Sequence, residues 1–124
     1  MRWLIDGMNV IGTRPDGWWK DRDGAMLRLV KLLEQWVATG GEDVTVVFER
    51  PPSPPIRSTV VEIAHAPRAK PHAADDEIVR RLREFSGGAE IRVVTSDRWL
   101  ADQAFALGAT VVSAEAFRQL LEEQ

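Results

Sequence analysis

Val44-Thr45-Val46-Val47-Phe48-Glu49 is an unbroken β-branched and aromatic run that ends on an acid. Strict alternation with polar residues would mark a strand with one wet face. A continuous apolar run marks a strand covered on both faces, as in a parallel sheet held between helical layers. On either side, Trp3-Leu4-Ile5 and Ile91-Arg92-Val93-Val94 have similar character, and they run into Asp6-Gly7 and Thr95-Ser96-Asp97. Strands are therefore expected at 2–5, 44–48, 59–63, 91–94 and 110–112, the third weakly apolar and so at an edge.

The intervals carry helical periodicity. Met26, Leu29, Val30, Leu33 and Val37 share one face of a helix that begins near Ala25 and stops at Gly40-Gly41. Asp75, Ile78, Val79 and Leu82 share a face of a helix from about Ala74 to Gly87-Gly88. A third runs from Arg98 to Leu107 before Gly108, and a fourth from Ala114, capped by Ser113, buries Phe117, Leu120 and Leu121. Residues 13–23 and the prolines at 51, 52, 54 and 55 are loop, and Asp6-Gly7 is expected to turn. Alternating strands and helices give an α/β fold with parallel neighbours and right-handed crossovers.

A chain of 124 residues fits a single domain, 1–124, with one core and no disulfides. The lack of cysteine excludes zinc-thiolate sites and a Cys nucleophile, and fits a reducing compartment. No apolar run reaches the roughly 20 residues of a membrane span, and Asp6 comes too soon for a signal peptide, so a soluble cytoplasmic protein is expected. A net charge of -3 would not drive tight nonspecific binding to nucleic acid. Between residues 50 and 72, however, Arg50, Arg57, Arg68, Lys70 and two histidines face the lone acid Glu62.

In an open parallel sheet the carboxyl ends of the strands line one crevice, where acids distant in sequence can meet. Asp6, Glu49 and Asp97 end strands, and Asp75 opens the apolar face of its helix, so it points inward. Asp76, about 100° round the helix, belongs at the rim, and Asp102 lies too far along its helix to reach with certainty. Asn9 can add a neutral oxygen or orient water. Each acid has a plain alternative: a turn former, a helix cap or a complement to the helix dipole. Together, crowded carboxylates repel unless a cation neutralises them, and oxygen donors suit Mg²⁺ or Mn²⁺ rather than zinc. Such ions promote phosphodiester hydrolysis. There is no Walker loop and no nucleophile elbow, and Met8 stands where a haloacid dehalogenase-type phosphatase needs its second Asp.

The runs Leu4-Ile5-Asp6-Gly7-Met8-Asn9-Val10-Ile11, Val46-Val47-Phe48-Glu49, Ala74-Asp75-Asp76-Glu77-Ile78 and Val93-Val94-Thr95-Ser96-Asp97-Arg98, followed by Gly108-Ala109, resemble the NYN domain of the PIN-like nuclease superfamily, in its YacP-like branch. The resemblance implies a three-layer α/β/α sandwich with strand order 3-2-1-4-5 and a Mg²⁺- or Mn²⁺-dependent endoribonuclease. By position it makes Asp6, Asp75 and Asp97 the metal-binding catalytic acids, with Asn9 beside them; Asp76 and Glu49 are expected as further ligands and Ser96 in support. Glu49 departs from the Asp that many members carry there. The resemblance further implies RNA as partner, held by Arg50, Arg57, Arg68, Lys70 and Arg98, with Arg80 and Arg81 near, and stacked on Trp18 or Trp19. Trp3 and Trp36 are expected in the core and Trp99 is open. A ribosome-associated role, a monomer or weak homodimer, and a catalytically silent RNA-binding adaptor are all compatible with this family.

Overall fold

The computed structural model describes residues 1–40, 42–68, 70–85 and 90–124; the expected helix stops at Gly41 and Gly87-Gly88 lie outside these residues. Strands β1 (Arg2–Asp6), β2 (Asp43–Phe48), β3 (Val61–His65), β4 (Ile91–Val94) and β5 (Thr110–Val112) form a sheet in the order β3-β2-β1-β4-β5. Every strand pairing among the described residues is parallel. The helices are α1 (Gly7–Ile11), α2 (Arg22–Gly40), α3 (Ala73–Glu84), α4 (Arg98–Ala106) and α5 (Ala114–Glu122).

The period of two along each strand divides the core into two layers. Trp3, Ile5, Val44, Val46 and Phe48 pack with residues of α1, α2 and α5, including Leu29, Leu33 and Phe117. Leu4, Val47 and Val93 point the other way and pack with Ile78, Val79 and Leu82 of α3 and Leu100 and Ala104 of α4. The result is the expected α/β/α sandwich. On the first face Trp3, Trp36 and Phe117 form an aromatic knot, with Trp3 and Trp36 edge-on at 4.9 Å. Edge-to-face geometry adds attraction to the area these rings bury.

Four local expectations shift. The helix α2 starts three residues before Ala25, because the Asp21 carboxylate accepts the Gly24 N–H and opens the helix early. Strand β3 begins at Val61 rather than 59, because the Ser58 hydroxyl accepts the Val60 and Val61 N–H groups and holds the loop to that point. Leu120 is 42% exposed, while Phe117 and Leu121, one turn apart, carry the buried stripe of α5. Finally, Asp6-Gly7 is not a simple turn but the entry to α1.

Gly7 is required there by space. A Cβ at this position would lie 2.5 Å from Cε1 of Phe48 and 3.1 Å from a Val46 methyl, inside the packed face between α1 and β2. Gly7→Ala should therefore destabilise the fold by about 1 to 3 kcal/mol through overpacking. Urea denaturation of the two proteins checks this; an unchanged midpoint would mean that Phe48 moves aside without cost.

Candidate metal centre

Register sets the first acid. Strand β1 lies between β2 and β4, with Asp6 opposite Val47 and Ile5 opposite Val94. Thr95 is thus level with Asp6, and its hydroxyl donates to Asp6 Oδ2 at 2.9 Å. Asp6 is only 5% exposed. Burial, then the charges of Asp75 and Asp97, push its carboxyl up to about 7, against the lowering effects of the Thr95 hydroxyl and the Asn9 N–H.

Asp75 arrives from the helical layer that Leu4 and Asp6 face, in the first turn of α3, and is buried as its place on the apolar face requires. Its carboxyl is raised to about 6, chiefly by desolvation and then by Asp97, with a smaller push from Glu49 and relief from His72. Asp97 caps α4: its Oδ1 accepts the Leu100 N–H at 2.8 Å, and its own N–H donates to Thr95 Oγ1 at 3.1 Å. Capping and a place in the acidic crevice are compatible, because a carboxylate has two oxygens.

Asn9 and Ser96 brace one another. The Ser96 N–H donates to Asn9 Oδ1 at 2.8 Å, so α1 is tied to the loop that presents Asp97. The Ser96 hydroxyl donates to Glu115 and accepts the Ala114 N–H, which anchors the same loop on α5. Both residues support the acids from behind. Glu49, half-buried, acts on Asp75 electrostatically. Asp76 is exposed, 3.8 Å from the Lys70 ammonium, and Asp102 is exposed on α4.

His72 was outside the expected ligand set. It precedes α3 with a left-handed φ of 63°, and its Nδ1 lies 3.5 Å from Asp75 Oδ2. One donor atom each from His72, Asp75 and Asp97 lie within 4.8 Å of one another, spacing that could hold a metal ion. The sequence signal was the i, i+3 relation of His72 to Asp75, obscured by its basic surroundings.

The expected RNA contacts are in mixed states. Arg57, Arg68 and Arg98 are exposed, and Arg68 and Lys70 border a hollow with Asp76 and Arg80 beside α3. Arg50 is bound to Asp23 at 2.9 Å, so its charge is partly satisfied within the fold. Arg80 and Arg81 grip Glu77, which is only 4% exposed and whose carboxyl is held below its usual range, first by the Arg80 hydrogen bonds. Trp18 is half-buried beside Arg22 and lines a separate hollow with Ile11 and Leu29, whereas Trp19 is 52% exposed and Trp99 50%. No helix among the described residues is long and apolar enough to cross a membrane.

A parallel sheet in the order 3-2-1-4-5, flanked by helices and carrying acids at its carboxyl edge, defines an α/β protein of PIN-like, nuclease type. The chain belongs to the YacP-like NYN domain family, whose model matches residues 3–124. It is similar to the crystal structure of Rae1 (YacP) from Bacillus subtilis, with a TM-score of 0.82, 25% identity, and coverage of 99% of this chain and 74% of that one. The W164L mutant of the same protein gives 0.81, 24%, 99% and 75%. Curated proteins gave no match.

The raised Asp6 pKa has a sign. Folded Asp6 keeps its proton up to about 7, whereas an unfolded Asp releases it near 3.8, so the folded state binds more protons between these values. The resulting stability is full below about 4 and is lost as pH rises through 7. Asp6→Asn, which keeps an acceptor for Thr95, should therefore raise stability at pH 8 in chelator by on the order of a few kcal/mol, with little effect near pH 4. Thermal melts at both values check it; an equal difference at the two would remove burial of charge as the cause.

Proposed function

We propose that this domain is a Mg²⁺- or Mn²⁺-dependent endoribonuclease that hydrolyses phosphodiester bonds of single-stranded RNA in a reducing cytoplasm. The supporting observation is that Asp6, Asp75 and Asp97 come from three separate segments and lie close enough to act on one another's charge; burial first, and then that repulsion, raise the carboxyls of Asp6 and Asp75. A divalent cation would offset the cost of holding these acids ionised together. Oxygen donors that are partly desolvated fit a hard divalent cation, and Asp6, Asp75 and Asp97 would hold it, with Glu49 and Asp76 at the margin. When bound, such an ion activates water and stabilises charge on the phosphodiester oxygens.

The remaining work falls to the chain itself. Thr95 and the Asn9 N–H fix the rotamer of Asp6, so the acid need not reorganise when substrate arrives. The Ser96 tether and the Leu100 cap fix Asp97. Arg68 and Lys70 before α3 and Arg98 at the start of α4 offer cations for phosphates near the acids, while Arg57, just before the N-terminal end of β3, lies toward the opposite edge of the sheet; half-exposed Trp19 offers a face for stacking a base, worth roughly 1 to 3 kcal/mol.

Labelled single-stranded RNA incubated with the protein and Mn²⁺ should be cut internally, and chelator or Asp6→Asn should reduce the rate at least about a hundredfold. Cleavage indifferent to both would defeat the mechanism. RNA bound but uncut with either ion would instead identify a silent RNA-binding adaptor.

A further inference from the structure

The acids are not the only donors that converge at the start of α3. His72 stands one helical turn before Asp75, and its left-handed backbone turns the ring back over the helix end toward that carboxylate. The separation of 3.5 Å between Nδ1 and Oδ2 exceeds the 2.7 to 3.2 Å of a well-formed N–H···O bond. Two donors on adjacent corners of an octahedron with bonds of about 2.1 Å sit about 3 Å apart, and opposite ones about 4.2 Å. His72, Asp75 and Asp97, with their donor atoms all within 4.8 Å, lie close to that pattern before any ion has drawn them together.

Building on the nuclease assignment above, we propose that His72 is a nitrogen donor to the same ion as Asp75 and Asp97, and that it biases the centre toward Mn²⁺ over Mg²⁺. The chemical reason lies in the ligand. Mg²⁺ sheds water reluctantly and favours carboxylate and water oxygens, whereas first-row transition ions gain more from an imidazole nitrogen. Asp6, deeper in the fold and outside this group of three, keeps its place as a further oxygen donor, oriented by Thr95. The His72 side chain is 78% exposed, so it can swing into place without disturbing the core.

The test uses Mn²⁺ and Mg²⁺ themselves with the full domain. His72→Asn is suitable because Asn tolerates the left-handed backbone, and His72→Gly provides a second variant that fits it freely. Pulsed electron paramagnetic resonance of Mn²⁺ on the unmodified protein should show imidazole nitrogen modulation that both variants lose. Calorimetry should show Mn²⁺ affinity falling by about tenfold or more, with Mg²⁺ affinity changed by less than about threefold. Mn²⁺ bound without nitrogen coupling, or equal losses for the two ions, would overturn the role of His72 and leave the nuclease assignment standing. If the unmodified protein binds neither ion, both fall together.

Discussion

Parallel pairing of β1 between β2 and β4 is the constraint on which the acidic corner depends. It brings Thr95 level with Asp6, places Glu49 just past the adjacent strand, and leaves the carboxyl edge open for the first turns of α3 and α4. A slip of one residue along β1 would turn Asp6 from the α3 side toward the layer of α1, α2 and α5 and move its neighbours Ile5 and Leu4 to the wrong faces. The apolar residues on both sides of β1 thus hold the register, and the register holds the acid. Packing and chemistry are two effects of the same alternation.

The corner opposes the stability that produces it. Asp6 and Asp75 are buried near one another's charge, and the fold answers with neutral donors, the Thr95 hydroxyl and the Asn9 N–H, and not with a buried Arg. Elsewhere on the same helix the opposite choice was made: Glu77, equally buried, is clamped by Arg80 and Arg81. The contrast separates a carboxylate left available from one fully occupied. A cation permanently paired with Asp6 would have quieted the strain and blocked the site.

Much of this was legible in the residues. Continuous β-branched runs marked the buried strands, and the i, i+3, i+4 spacing of Met26, Leu29, Val30 and Leu33 marked α2. The inward direction of Asp75 followed from its place beside Ile78, Val79 and Leu82. Strand order came from family resemblance, since periodicity says which face is buried but not which strand lies next to which. The helix α1 was missed because five residues are too few to display a period. Burial of Glu77 was hidden because a charged residue reads as surface until its two arginines are seen to converge on it. His72 reads as one of the two histidines of the basic stretch and not as a partner of the acids, because its approach to Asp75 depends on a single positive φ, which composition does not reveal.

The Ser96 hydroxyl, held between Glu115 and the Ala114 N–H, gives the final helix a second task. Besides covering Trp3 with Phe117, α5 acts as a strut behind the loop that carries Asp97. Geometry at the crevice is thereby coupled to a segment that touches none of the acids. A disturbance that loosened the last helix without unfolding the sheet would blur the position of one carboxylate while leaving the others in register.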